Sequence, residues 1–125
     1  QVVMCCPLTH LWEPPQDTGM GRLAGWFRGL YLRSDEDEFD FRASPQHATD
    51  VGRLPPTLIL TGEYDPLRPQ GEAYAAKLRA ARTGAEYAEF AGMIHNFTGM
   101  GGAIDKAGDG LARVAGTLRR AFGAP

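Results

Sequence analysis

The sequence predicts an α/β fold of about three parallel strands with flanking helices, and two observations carry that expectation. Short unbroken apolar runs at Val2-Val3-Met4-Cys5-Cys6 and Thr57-Leu58-Ile59-Leu60-Thr61 lack the alternation of a half-solvated strand and read as strands buried on both faces. Apolar residues also recur at helical spacing, at Leu23, Trp26, Phe27, Leu30 and Tyr31, at Tyr74, Leu78 and Ala81, and at Leu111, Val114, Ala115, Leu118 and Phe122. Strands alternating with helices of that length imply right-handed crossovers and a parallel sheet.

The first strand opens almost at residue 1. Because termini usually lie at a surface, an interior strand without a lead-in suggests a portion of a longer protein, and the absence of Met at position 1 points the same way. Cys5 and Cys6 are adjacent. Neighbouring Cα atoms about 3.8 Å apart bridge poorly, so both read as buried thiols, which suits a reducing compartment and a cytoplasmic location. Residues 9–21, rich in Pro, Gly, Asp and Thr, read as a loop before the first helix. The acidic run Asp35-Glu36-Asp37-Glu38 lacks the Gly and the spaced acids of a calcium loop, so it is expected as a solvated loop. A connecting segment through Ser44-Pro45 leads to Leu54-Pro55-Pro56, which stiffens the approach to the second strand. A turn over 62–69 then leads to a helix that stops at Thr83-Gly84. A third strand over about 85–90, a glycine- and methionine-rich loop over 92–102, and a last helix with Arg119 and Arg120 in its final turn complete the order.

Composition narrows the classes. The 125 residues are 43% apolar and 22% charged, with 13 Lys+Arg against 15 Asp+Glu and a net charge of -2, which suits one modest globular domain with a core. No basic stripe is interleaved with aromatics, so nucleic acid is not an expected partner. No stretch approaches the ~20 apolar residues of a membrane span.

In a parallel sheet every loop leaving a strand's C-terminal end emerges on one edge, where open α/β folds bind ligands. Asp65 and His95 both leave strands there, separated by one helix and one strand, so a single crossover can return the imidazole beside the carboxylate. An Asp that orients a His is half of a serine-hydrolase triad. The plainer alternative for Asp65-Pro66 is a helix N-cap with Pro at the first helical position. Glu63 is the nearest competitor for the acid. His10 and His47 read as ordinary exposed or hydrogen-bonding residues, and three histidines without paired spacing make a weak case for zinc. Gly99, Gly101 and Gly102 fit no phosphate-binding pattern.

The run from Leu54-Pro55-Pro56 through Gly62-Glu63-Tyr64-Asp65-Pro66-Leu67-Arg68, then Gly71-Glu72-Ala73-Tyr74, then Gly92-Met93-Ile94-His95-Asn96-Phe97, resembles the acid-to-histidine segment of hormone-sensitive-lipase-like carboxylesterases. The resemblance implies the C-terminal part of an α/β-hydrolase fold over 1–125, with Asp65 as triad acid and His95 as general base. It implies hydrolysis of small carboxylic esters through an acyl-enzyme, with no metal or organic cofactor. Trp26, Phe27 and Tyr31 read first as core or interface residues; the resemblance adds a region bordering the acyl or alcohol pocket, and Phe97 is either packing or pocket wall. Asn96 stands where the family usually has Gly, which puts the turn of that loop in question.

The nucleophile of this fold sits in a Gly-x-Ser-x-Gly elbow that precedes the acid. These residues contain no such elbow, and the only serines are Ser34 and Ser44. The expectation is therefore of a segment inactive alone. Its rival is a noncatalytic module whose exposed sheet edge pairs with a complementing chain or with a second copy of itself.

Overall fold

The computed structural model describes residues 1–10 and 19–123, and its central element is the strand that leads to Asp65. This strand, β2 (Thr57–Tyr64), lies between β1 (Val2–Cys5) and β3 (Glu86–Ile94) in a parallel sheet ordered β1-β2-β3. Every β2 residue from Thr57 to Gly62 is buried, as its unbroken apolar run requires. Contacts gather the chain into two compact units, residues 1–7 with residues 50 onward, and residues 8–49.

The sheet departs from expectation at both flanks. β1 is not buried on both faces: Val2 to Met4 are only half-buried and Cys5 is exposed. It sits at the sheet's edge with β2 as its one paired neighbour among the described residues, so the sheet covers a single side of it. Of the two cysteines expected to be buried, only Cys6 is.

β2 and β3 both run further than the sequence indicated, β2 to Tyr64 and β3 to Ile94. Gly62 and Gly92 had marked turns, yet pairing continues past them, from Gly62↔Phe90 through an irregularity to Tyr64↔Ile94. Gly62 is required by close approach rather than by a turn, since a Cβ there would lie 2.5 Å from the Met93 carbonyl oxygen. Gly92 takes φ 77°, and its N–H donates to Glu63 Oε2 at 2.7 Å. The bulge in β3 lets both strands extend to the functional edge.

The crossover helix α2 (Arg68–Ala80) buries Gly71, Tyr74, Ala75 and Leu78. Its end is a Schellman motif: the Thr83 N–H donates to the Leu78 carbonyl at 3.1 Å and the Arg82 N–H to the Arg79 carbonyl at 2.9 Å. Arg82 takes the left-handed position at φ 59°, one the sequence had suggested for Gly84.

The last helix, α3 (Asp105–Phe122), buries Ala107, Gly110 and Thr117, whereas Leu111 and Phe122 of the expected apolar stripe are exposed. The buried face is set by closeness, because a Cβ on Gly110 would lie 2.9 Å from Thr98 Cγ2 and 3.0 Å from Phe97 Cε2. Small residues let the helix sit low on the loop that follows β3, and that geometry outweighs the larger apolar side chains.

In the second unit, α1 (Gly19–Tyr31) starts inside the stretch expected as loop. Its stripe of Leu23, Trp26, Phe27, Leu30 and Tyr31 is exposed. The helical spacing is real, but no described residue of this unit covers the stripe. The rest of the loop expected over 9–21 lies mostly outside the described residues. The acidic run has no buried residue, as expected of a solvated segment, but it is wound into a 3-10 turn over Asp35–Phe39. Arg28 draws it in, donating to Asp35 Oδ1 at 2.9 Å and to Glu38 Oε2 at 3.0 Å. His47 Nε2 lies 3.1 Å from His10 Nδ1, which makes both histidines hydrogen-bonding residues. Among the described residues no helix is long and apolar enough to cross a membrane.

Candidate active site

Three strand ends meet at the C-terminal edge of the sheet. β2 delivers Asp65 immediately after Tyr64, and β3 delivers His95 immediately after Ile94. The Tyr64↔Ile94 pairing puts the two one residue beyond a matched pair, so the register itself brings acid and imidazole together.

Asp65 has a side chain with no solvent exposure, and its Oδ1 lies 3.0 Å from His95 Nδ1. An ionised carboxylate only accepts, so Nδ1 carries the proton in this contact and Nε2 is left as the ring's lone-pair nitrogen. The His95 side chain is 49% exposed, leaving that nitrogen open to a reacting partner.

Asp65 Oδ1 also accepts the Leu67 N–H at 2.8 Å, and the Asp65 carbonyl accepts the Arg68 N–H at 3.0 Å. The same oxygen thus holds the turn into α2 and the histidine, but the capping alternative fails, because α2 begins at Arg68, two residues beyond Pro66. The N-cap position itself is Leu67. Glu63 is spent on the Gly92 N–H, which leaves Asp65 as the carboxylate paired with His95.

The histidine loop is fixed from several sides. Asn96 adopts φ 58° and ψ 27°, a left-handed conformation that Gly takes freely and Asn tolerates better than other residues. That explains how Asn serves where a glycine is usual. Phe97 is fully buried and stacks near Phe90 with ring centroids 4.9 Å apart. Lys106 Nζ donates to the Ala91 carbonyl at 2.8 Å, tying the start of α3 to the end of β3.

One neighbour of the pair was missed in sequence. Cys6 follows β1 at the same edge, turns at φ 48°, and accepts the Asn96 N–H on Sγ at 3.3 Å. Its thiol is pushed up to about 11 by burial first, then by the adjoining Asp65 carboxyl, with the backbone N–H groups working against this. The same rule that placed Asp65 and His95 at the strand ends could have placed Cys6 with them, since it ends a parallel strand immediately before Pro7. Trp26 and Phe27, the other expected contacts, are 58% and 57% exposed and pack edge to face at 4.9 Å.

A family described as alpha/beta hydrolase fold matches residues 3–99. The chain belongs to that family. Within it, the expected likeness to hormone-sensitive-lipase-like carboxylesterases holds. The chain is 36% identical over 95 residues to an ethyl acetate hydrolase of Pseudomonas putida, covering 76% of this chain and 30% of that protein. A hyperthermophilic esterase of the archaeon Pyrobaculum calidifontis superposes with a TM-score of 0.86 at 28% identity, over 96% of this chain and 43% of its own. The carboxylesterase EstE1, cloned from a metagenomic library, superposes at 0.84 with 36% identity, over 94% and 44%. The chain thus spans under half the length of each of these relatives.

Proposed function

We propose that this chain carries the acid and the base of a serine carboxylesterase, Asp65 and His95, and that the nucleophile comes from another segment of a longer polypeptide. The observation that supports this best is the 3.0 Å contact between His95 Nδ1 and an Asp65 side chain that is fully buried. A buried carboxylate on one ring nitrogen fixes the tautomer, so the other nitrogen can take a proton from a serine hydroxyl and return it to the leaving alcohol. The substrate class, carboxylic esters, rests on the relatives named above.

No serine of these 125 residues lies in a Gly-x-Ser-x-Gly elbow, and oxyanion stabilisation usually supplies the largest share of such catalysis. The segment by itself is therefore inactive in this reading, and residues 1–125 form a C-terminal portion of the hydrolase domain. Trp26 and Phe27 are proposed as apolar substrate contacts on the strength of their exposure. The two free thiols support a reducing, cytoplasmic setting. A second reading is favoured by one observation, the unpaired outer edge of β1 among the described residues: a noncatalytic module that associates through this edge with a complementing chain or another copy.

The test is p-nitrophenyl ester hydrolysis by a longer polypeptide in which a nucleophile-bearing segment precedes residue 1. Asp65→Asn is expected to lower turnover by about 10⁴-fold, as loss of the correct histidine tautomer does in other triads, and His95→Ala by a similar order. Near-wild-type turnover in either variant would remove that residue from the triad. Sustained turnover by the 125-residue chain alone would remove the requirement for a second segment.

A further inference from the structure

We propose that Cys6, Asp65 and His95 together bind a soft divalent transition-metal ion of the zinc type. Cys6 Sγ, a carboxylate oxygen of Asp65 and a ring nitrogen of His95 all lie within 4.8 Å of one another. Thiolate, imidazole and carboxylate are the donor types that zinc takes in tetrahedral sites, at ~2.0–2.3 Å, which places donors ~3.3–3.8 Å apart around the ion. The His95–Asp65 contact of 3.0 Å would open by a few tenths of an ångström, and the thiol, within 4.8 Å of the other donors, would close by up to roughly 1–1.5 Å.

A second observation is independent of the spacing. Asp65 Oδ2 is buried and meets no N–H or O–H donor among the described residues, with the Cys6 thiol, a weak donor, as its neighbour. An ion at this place would satisfy that carboxylate. Three protein ligands from just beyond the ends of three different strands form the cradle, with one tetrahedral position left for water.

The protons follow from the ligand chemistry. Metal binding releases the Cys6 thiol proton to solvent, and coordination by His95 Nδ1 requires that its proton relocate to Nε2. The ring then presents an N–H where a base needs a lone pair, so the ion would inhibit ester hydrolysis by locking the wrong tautomer. That consequence rests on the proposed role of His95; the ion site does not. The thiolate excludes hard cations, since magnesium and calcium prefer all-oxygen ligands.

The purified 125-residue chain is titrated with cadmium chloride while the thiolate-to-metal charge-transfer absorption is followed, and with zinc chloride against a chromophoric chelator. One ion per chain is expected, with the charge-transfer band, unaffected by excess magnesium. Cys6→Ser should abolish the band, and Cys5→Ser should retain it. His95→Ala alters a half-exposed side chain and so tests the site even if Cys6→Ser fails to fold. It should weaken binding at least ~10-fold, the lower bound for losing even an outer-shell partner of a metal site. No band in the folded chain, a band that follows Cys5 instead of Cys6, or unchanged affinity in His95→Ala would overturn the site. Each of those outcomes leaves the triad reading intact, because ester turnover in the longer polypeptide judges that reading separately.

Discussion

Gly62→Ala should be among the most damaging methyl additions in this chain. A Cβ at Gly62 would stand 2.5 Å from the Met93 oxygen, 2.8 Å from the Ile94 oxygen and 2.8 Å from the Met93 carbonyl carbon. All three obstacles are backbone, so no side chain can rotate aside and β2 and β3 must separate locally. Inserting a methylene into a packed interior costs ~1–3 kcal/mol, and the rigidity of the neighbours puts this case at about 2–3 kcal/mol. With a urea m-value of about 1–2 kcal/mol per molar for a small protein, the unfolding midpoint should fall by roughly 1–3 M. Damage should also reach the site, because the displaced carbonyls belong to the two residues immediately before His95. Urea unfolding followed by circular dichroism measures the first effect, and the amide and ring resonances of His95 report the second. An unfolding free energy within about 0.5 kcal/mol of the parent, with His95 resonances unmoved, would refute the argument that the β2–β3 approach positions the histidine.

Two glycines of α3 should respond with opposite signs. Gly110→Ala meets Thr98 Cγ2 at 2.9 Å and Phe97 Cε2 at 3.0 Å and should destabilise by about 1–3 kcal/mol. Gly108→Ala meets nothing within 4 Å and should stabilise by about 0.5–1 kcal/mol through helix propensity; thermal unfolding of both variants tests the pair. The cysteines should separate chemically: iodoacetamide near neutral pH is expected to label exposed Cys5 and spare Cys6, as peptide mass spectrometry would show. Because the Cys6 thiol is raised from 9.0 to about 11 in the fold, the unfolded chain loses this proton first, so stability should fall as pH rises from about 9 towards 11. Cys6→Ala should flatten that decline, and an unchanged alkaline profile would count against the shift.

The pairing of the proposed acid and base was legible because Asp65 and His95 sit where chain topology is simple. Asp65 and His95 each end a parallel strand, and one crossover separates them, so alternation of apolar runs with helical spacing was enough to bring them to one edge. The resemblance to carboxylesterases then supplied roles that spacing alone could not. Cys6 escaped notice because an apolar run announces burial but not what lies across the sheet. Its contacts with Asn96 and Asp65 span 90 and 59 residues of chain.

What the sequence by itself determined was order and period: three strands, three helices, and a carboxylate and an imidazole at matching strand ends. Local pattern suffices there, because a strand's faces and a helix's stripe are set by residues a few positions apart. Only the tertiary structure decided where each element stops and which face it hides. Pairing with β3 carried β2 past Gly62, the crowding of Phe97 and Thr98 against Gly110 chose the buried side of α3, and the Tyr64↔Ile94 register closed Asp65 on His95 at 3.0 Å. Each of these rests on atoms distant in sequence that approach to within van der Waals contact, and propensity and periodicity hold no information about such distances.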